Sequence, residues 1–352
     1  MAPADRLHIA VSVNGEGSGH AMRMSALCSA LSKEHRLSVW CPKHTIQSMR
    51  PNLPEATFYR LPPVPTIYKN NAVDYVATVR ANFAVLFLRS KKLYGMLSRK
   101  LTRLGIDMVL SDYEPSLPFA ARRAGIPVAL FNHQGVVNRH KAFKVSWVVA
   151  RIVNQVMMPY GTYRYVSSFY NGDVGALLRD EIRNARPTRG DYVLVYARRA
   201  FEEHIVPALD SFPDTAFRVF PGYPGDFVES LIGCRAVVAP AGHQLISEAL
   251  HLGKPMLVFP QQGQYEQELN GAMLVRSGRG MVGNIKDVRG SLAGFLERLE
   301  NYPFHRPARE VAFCMQDDTP KAVELVLEQA RNVAKERAAR RARVRRAAPS
   351  PA

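Results

Sequence analysis

The residues best suited to hold an anionic ligand lie between Val237 and Asn270. Gly242 forms a tight turn between a strand-like run and a short helical stretch. Free backbone N–H groups at a helix N-terminus attract an anion such as a diphosphate. Glu248 follows about one and a half helical turns later, where its carboxylate can accept hydrogen bonds from a ribose diol. This spacing predicts a site for a nucleoside diphosphate, with Ala241, His243 and Gln244 beside the anion.

A second polar cluster follows the next strand-like run, Met256–Phe259. Gln264, Glu266 and Gln267 supply a carboxylate and two amides, which can hydrogen-bond the hydroxyls of a polyol. A diphosphate, a ribose and a polyol head group together describe a nucleotide sugar. We therefore expect these residues to bind the sugar of such a donor.

A glycine-rich loop follows the first strand-like run, Leu7–Val13. Glycines occupy three of the five positions from 15 to 19, and they let the backbone pass close to a ligand. We assign Gly17 and Gly19 to the donor site. The loop is not a Walker loop, because no Lys-Ser/Thr follows, and its G-x-G-x-G spacing differs from that of the dinucleotide fingerprint.

His20 ends this loop at the start of a helix, where it can deprotonate a hydroxyl if a carboxylate orients its ring. Asp112 follows the strand-like run Met108–Leu110 and should reach the same edge of the sheet. We therefore pair His20 with Asp112 as a catalytic dyad. The alternative is structural: His20 caps its helix, and Asp112 is an N-cap before Pro115. Arg23, one turn after His20, could approach a phosphate, but we interpret it as a solvated cation of the first helical turn.

Strand-like runs alternate with helical patterns along the whole chain, which is typical of α/β units with parallel sheets. We expect a domain at 1–160, a linker at 161–190 and a second domain at 191–330, whose last helices are free to pack back on the first. The remaining residues, 331–352, form a basic tail that we expect to be disordered. In such folds a ligand binds at the carboxyl ends of the strands, here in a cleft between the two domains.

Composition narrows the class of protein. The chain has 352 residues, a hydrophobic content of 47% and four cysteines without the paired spacing of a zinc site or a disulfide framework. We expect no metal and no cofactor other than a co-substrate. The start lacks the apolar core of a signal peptide, and the apolar run 145–158 is interrupted and short, so we expect a cytoplasmic protein.

The formal net charge is +17, and much of the excess is local. Residues 75–106 contain seven Lys or Arg and no acid, and residues 335–346 contain seven against Glu336 alone. The first segment also has a broad apolar face at helical spacing. That face can be core, but a basic amphipathic helix also suits an anionic membrane surface, where a lipid-linked acceptor would lie. Peripheral association with the inner face of a membrane is therefore left open.

Taken together, these motifs resemble those of the GT-B glycosyltransferases. Gly17-Ser-Gly-His20, Ala241-Gly-His-Gln-Leu-Ile-Ser-Glu248 and Tyr265-Glu-Gln-Glu-Leu-Asn270 are similar to those of the lipid II N-acetylglucosaminyltransferase and of the plant and macrolide enzymes. The resemblance implies two Rossmann-like domains that face a central cleft. It spans residues from about 8 to 285. Plant members have a histidine where this chain has Pro240, so diphosphate binding must rely on other donors.

The resemblance also implies roles for the residues. Glu248 would bind the ribose hydroxyls, the turn from Ala241 to Gln244 would face the diphosphate, and Glu266 with Gln267 would read the sugar. Gln264 is a rival sugar contact, since its loop is longer than in plant enzymes. His20, oriented by Asp112, would act as the base of an inverting transfer of a hexose-type sugar to an acceptor hydroxyl. UDP is the nucleotide that the resemblance favours, with dTDP left open.

Two other functions are compatible with parts of this pattern. A sugar-nucleotide 2-epimerase would share the fold and the nucleotide site but transfer nothing; the histidine of the glycine loop favours transfer. A non-enzymatic nucleic-acid-binding protein would use the basic segments. The sequence contains no recognisable nucleic-acid-binding module, so we expect no specific nucleic-acid partner.

Overall fold

The computed structural model describes residues 6–69, 72–83, 90–197, 200–305 and 313–347. They form two parallel β-sheets with helices around each, and a short antiparallel hairpin at 68–73. The strands are β1 (His8–Val13), β2 (Arg36–Cys41), β3 (Thr57–Arg60), β4 (Tyr68–Lys69), β5 (Ala72–Val73), β6 (Met108–Asp112), β7 (Val128–Asn132), β8 (Tyr163–Val166), β9 (Tyr192–Tyr196), β10 (Ala216–Phe220), β11 (Ala236–Pro240), β12 (Met256–Phe259) and β13 (Gly280–Val282). The helices are α1 (Gly19–Leu31), α2 (Lys43–Met49), α3 (Tyr75–Phe83), α4 (Ser90–Arg103), α5 (Ser116–Ala124), α6 (Val145–Met157), α7 (Asp180–Arg183), α8 (Ala200–Leu209), α9 (Phe227–Gly233), α10 (His243–His251), α11 (Tyr265–Arg276), α12 (Val288–Glu297) and α13 (Thr319–Ala347).

The first sheet has the strand order β3-β2-β1-β6-β7-β8, and all of its pairings are parallel. Every residue of β1, β6 and β7 is buried, which explains why these strands read as nearly continuous apolar runs. In the register of β1 and β6, Val13 lies opposite Asp112. The glycine-rich loop and Asp112 therefore leave the sheet at the same edge.

The second sheet has the order β10-β9-β11-β12-β13 and is also parallel. β11 lies at its centre, and Pro240 is opposite Phe259 at the end of β12. The turn before α10 and the loop before α11 consequently start side by side. This explains how two polar clusters far apart in sequence come to share one edge.

The last helix returns to the first domain. Side chains of α13 belong to the same buried apolar cluster as Met24, Leu27 and Leu31 of α1. The α13 members are Ala322, Val326, Leu327, Ala330 and Val333. α13 extends to Ala347, into the segment 331–352 for which the sequence predicted a disordered tail; residues 348–352 lie outside the described ranges.

Some elements differ from the sequence prediction. β8 falls within the segment 161–190 assigned to the linker, and it pairs with β7 at the edge of the first sheet. The segment 75–106, whose apolar face at helical spacing indicated a helix, contains two helices, α3 and α4, and residues 84–89 between them lie outside the described ranges. None of the helices within those ranges combines the length and the apolar composition needed to cross a bilayer.

The packing of α13 gives a test of the fold. Val326 is fully buried, so Val326→Ala removes buried methyl groups and should lower the free energy of unfolding by about 2 kcal/mol. Val275→Ala is the matched control, because Val275 is 48% exposed and its truncation should change stability by no more than about 0.5 kcal/mol. Urea denaturation measures both. Equal effects would contradict the docking of α13 on α1.

Candidate functional site

The glycine-rich loop lies between the two domains. Gly17 has a φ of 73°, a left-handed conformation that glycine adopts without strain. A Cβ on Gly19 would lie 3.2 Å from the Cβ of Gln244 on α10, so a small residue here lets α1 approach the second domain closely. The sequence predicted that the backbone of this loop passes close to a ligand. In the structure it passes close to α10.

His20 and Asp112 are brought together as predicted. His20 Nδ1 lies 3.1 Å from Asp112 Oδ2, and both side chains are buried. The alternative role of these residues as helix caps does not apply. His20 caps no helix, because α1 has no side-chain cap, and the side chain that accepts from the backbone N–H groups of Ser116 and Leu117 at the start of α5 is Glu114, not Asp112. The geometry is that of a histidine oriented by a carboxylate.

Arg23 completes this cluster, and the sequence interpretation of it as a solvated cation is wrong. It is 3% exposed, and its Nη2 donates to Asp112 Oδ1 at 2.7 Å and Oδ2 at 2.8 Å. The same nitrogen lies 3.1 Å from His20 Nδ1. The signal that could have found it is the spacing of three residues from His20, which places both side chains on one face of α1.

The pKa of Asp112 reflects two opposed effects. Burial disfavours its charged form, but the Arg23 guanidinium and His20 outweigh burial and hold the pKa of Asp112 below its ordinary value. The carboxyl is therefore ionised at neutral pH. An ionised Asp112 can only accept hydrogen bonds, and the shorter contacts of Arg23 Nη2 are with its two oxygens. Together they stabilise the His20 tautomer with a proton on Nδ1 and a lone pair on Nε2.

The Nε2 side of His20 faces a short polar rim. Nε2 lies 3.5 Å from Gln134 Nε2, and Asn154 connects the backbone oxygen of Gln134 to the hydroxyl of Tyr113. Tyr113 stacks on His20 with 6.2 Å between ring centroids, and its φ of 55° is a left-handed conformation unusual for a bulky residue. This rim borders the Nε2 lone pair, towards which Gln134 presents its amide N–H at the limit of hydrogen-bond distance.

The turn before α10 is as predicted in its backbone. Gly242 is the N-cap of α10 and provides no side-chain cap, while Ala241 N–H bonds to Phe259 O at 3.3 Å. The His243 side chain is a packing residue: its ring stacks on His133 of the first domain at 3.7 Å. Burial, and after it His133, place the pKa of His243 well below its ordinary value, so this ring is uncharged.

Glu248 is already occupied in the structure. Its carboxylate is 1% exposed and accepts from Arg179 Nε at 3.0 Å and from Arg179 Nη2 at 2.8 Å. Gln244 Nε2 adds a third contact at 3.2 Å. Arg179 lies in the segment that joins the domains, and the sequence analysis missed it because nothing local relates it to Glu248. The carboxylate predicted to bind a ribose is thus held by an arginine instead.

The polar cluster at the start of α11 has divided roles. Gln267 Oε1 accepts from Gln261 N–H at 2.9 Å and its Nε2 donates to Gln264 Oε1 at 2.6 Å, so these amides shape the loop. Gln264 also donates to the hydroxyl of Tyr68, at 2.5 Å, on a hairpin of the first domain. Glu266 keeps a partly exposed carboxylate 3.7 Å from His133 Nε2.

Asn270 holds the turn, the loop and the first domain together. Its Oδ1 accepts from Tyr170 Oη at 2.6 Å and lies 2.9 Å from His133 Nε2. Its Nδ2 donates to Ala241 O at 3.1 Å. Asn270 is fully buried, so all of its hydrogen-bonding capacity is used by protein groups. Asn270 therefore ties the turn before α10 to the first domain, on which His20 and Asp112 lie.

The cleft contains acids and histidines, which are the residue types that bind metal ions. Within the described ranges no group of three or more His, Cys, Asp or Glu side chains is arranged to hold a metal ion. What the arrangement offers is a buried base candidate on one side and a helix N-terminus on the other. Such a pair suits displacement of an anionic leaving group by a hydroxyl.

Comparisons with known proteins agree with this architecture. A family model described as "Glycosyl transferase family 1" matches residues 7–224 and 214–300. An "uncharacterized glycosyltransferase" of Methanosarcina acetivorans is 25% identical over 332 residues, which cover 78% of this chain and 85% of the relative.

The solved structures that the chain resembles have the GT-B fold. Acinetobacter baumannii MurG superposes with a TM-score of 0.58 at 14% identity, covering 92% of this chain and 99% of that one. Phytolacca americana UGT2, complexed with UDP-2fluoro-glucose and pterostilbene, has a TM-score of 0.59 at 13% identity, covering 94% and 93%. The predicted fold class, two Rossmann-like domains facing a cleft, is thereby confirmed.

Proposed function

The chain belongs to glycosyl transferase family 1, and on that premise we propose that it is an inverting enzyme that moves a hexose-type sugar from UDP to an acceptor hydroxyl. The observation that carries the proposal is the dyad: His20 Nδ1 lies 3.1 Å from an ionised, buried Asp112, at the edge of the sheet that faces α10. This geometry leaves His20 Nε2 free to accept a proton.

The proposed step has one bond made and one broken at the anomeric carbon. The acceptor oxygen attacks that carbon while its proton passes to His20 Nε2, and the bond to the diphosphate oxygen breaks with its electron pair. Attack from the face opposite the leaving group inverts the anomeric configuration. Asp112 remains hydrogen-bonded to Nδ1 of the imidazolium that results and so keeps the ring in place.

The leaving diphosphate gains negative charge as its bond breaks. The N-terminus of α10 is placed to stabilise it, since Gly242 brings no side chain that would cap the first N–H groups. The step needs no bound metal in this proposal. Closure of the cleft would exclude water, which otherwise competes with the acceptor hydroxyl.

Donor binding in this proposal requires an exchange at Glu248. Both carboxylate oxygens accept from Arg179, and the side chain is almost fully buried, so a ribose diol can bind only when Arg179 leaves. The diol then donates the hydrogen bonds that the guanidinium gave up. UDP is the nucleotide we favour, supported by the UDP sugar bound in the UGT2 structure.

This exchange predicts opposite effects for two substitutions. Glu248→Gln should weaken UDP binding at least tenfold (about 1.4 kcal/mol), because the amide replaces an acceptor oxygen. Arg179→Met should tighten UDP binding about tenfold, because a competing cation is removed while the aliphatic stem is kept. Calorimetric titration with UDP, with dTDP as the competing nucleotide, measures both. Weaker binding by Arg179→Met would show that Arg179 contributes to UDP binding. It would contradict the proposed replacement of Arg179 by the ribose at Glu248.

The role of His20 predicts a loss of turnover without a loss of binding. His20→Gln should lower the rate at which UDP is formed from a UDP-sugar by a factor of about 10² to 10⁴, since the general base is removed. The UDP affinity should stay within about twofold of the wild-type value. His204→Gln, an exposed histidine on α8, is the matched control and should behave as wild type. Full turnover in His20→Gln would exclude it as the base.

We place the acceptor at a membrane surface, and two exposed apolar patches support this. The first patch lies on α3 and consists of Val76, Val79 and Phe83. The second begins just before α6 and continues along it, and it consists of Phe143, Val145, Val148 and Ile152. Both adjoin the start of α11: the Tyr75 hydroxyl donates to Gly263 O, and Lys144 pairs with Glu268 at 3.0 Å. Arg80, Lys141 and Arg151 add exposed positive charge. Such a surface suits anionic lipid and a lipid-linked acceptor hydroxyl.

Vesicle binding tests the membrane assignment. The protein should co-sediment with vesicles that contain phosphatidylglycerol and much less with phosphatidylcholine alone, because charge and apolar contact act together. Val148→Asp should abolish this binding, whereas Val275→Asp, an exposed valine on α11, should preserve it. Equal binding of both variants would exclude the α6 patch as the membrane contact.

A further inference from the structure

Asp112 has a second partner that the transfer step does not use. We propose that Arg23 is a positioning residue of the dyad: its guanidinium balances the buried Asp112 charge and so keeps His20 uncharged and able to accept the acceptor proton. This inference rests on the proposed transfer reaction.

The geometry makes one nitrogen the centre of the cluster. Arg23 Nη2 lies within 2.8 Å of both Asp112 oxygens and 3.1 Å from His20 Nδ1, while His20 Nδ1 lies 3.1 Å from Asp112 Oδ2. All three side chains are more than nine-tenths buried. Water therefore screens their charges weakly, and each charge is felt strongly by the other two.

The signs of these charges determine what Arg23 does. A carboxylate alone beside His20 would stabilise the imidazolium and keep the ring protonated, and a protonated ring cannot act as a base. The guanidinium cancels most of that attraction, because it lies as close to His20 as the carboxylate does. Asp112 then fixes the tautomer through its hydrogen bond without holding a second proton on the ring.

Arg23 also keeps Asp112 itself competent. A fully buried carboxyl without a cation tends to take up a proton, and a protonated carboxyl could donate to His20 Nδ1 and select the wrong tautomer. The other groups that face His20 do not replace Arg23 in this respect. Tyr113 stacks on the ring with a pKa raised by burial, and His243 on α10 is uncharged. Gln134 is neutral.

A charge-balance cycle tests the proposal by NMR of ¹⁵N-histidine-labelled protein, with the His20 signal identified by its loss in His20→Gln. Arg23→Gln should raise the pH at which the His20 ring is half protonated by about one unit, a tenfold change in proton affinity. Asp112→Asn should lower it. The double variant, which removes both charges, should return close to the wild-type value, and Arg23→Lys should do so too because it keeps the cation.

This pattern separates a positioning role from a structural one. An arginine that only stabilised the fold would change the unfolding temperature of Arg23→Gln and leave the His20 midpoint in place, and that result would overturn the proposal. If Arg23→Gln does not fold, the same charge is measured by comparing Asp112→Asn with the double variant, whose buried pair is replaced by neutral groups. The double variant should then have the higher midpoint; equal midpoints would overturn the proposal.

Failure of the transfer reaction would be recognised separately. The cycle reads the His20 ring in the free protein and requires neither nucleotide nor acceptor. Absence of binding by UDP, dTDP and GDP would contradict the proposed function, whatever the cycle gives. Normal nucleotide binding with an unmoved His20 midpoint would contradict only the role of Arg23.

Discussion

The buried amide of Asn270 is the contact on which the geometry of the cleft depends. It joins α11 to the Ala241 carbonyl before α10, and it lies against His133 of the first domain and Tyr170 of the connecting segment. A fully buried amide is costly unless each of its groups is paired, so these partners must stay together. The relative position of the two sheets is therefore specified by hydrogen bonds as well as by apolar packing.

Within this frame, the two halves of the site depend on the same physical device, a buried carboxylate paired with an arginine. Asp112 is held by Arg23 beside the proposed base, and Glu248 is held by Arg179 at the proposed donor site. Each arginine balances a carboxylate that is almost completely removed from water. The two pairs differ in consequence under the proposed function. The first is compatible with proton transfer, because it leaves the His20 Nε2 lone pair available, whereas the second would have to open before a ribose could bind.

The sequence was sufficient for the features that are local. Apolar runs of β1, β6, β11 and β12 predicted the parallel sheets, and the positions of His20 and Asp112 after strands predicted their encounter, because neighbouring parallel strands end at one edge. It was insufficient for contacts set by tertiary packing. Arg23 reads as a surface cation until β6 is placed beside it, Arg179 reaches Glu248 across 69 residues, and β8 is too short and aromatic to stand out.

The stereochemical course of sugar transfer distinguishes inversion by His20 from every other outcome. ¹H NMR can follow the anomeric configuration of the sugar that the wild-type protein releases from a panel of α-linked UDP-hexoses. Water serves as the acceptor when no other hydroxyl is present. We predict that the first sugar released has the β configuration. A base on one face of the anomeric carbon and a diphosphate on the other require inversion. Initial release of the α anomer, or an epimeric nucleotide sugar formed without loss of UDP, would contradict it.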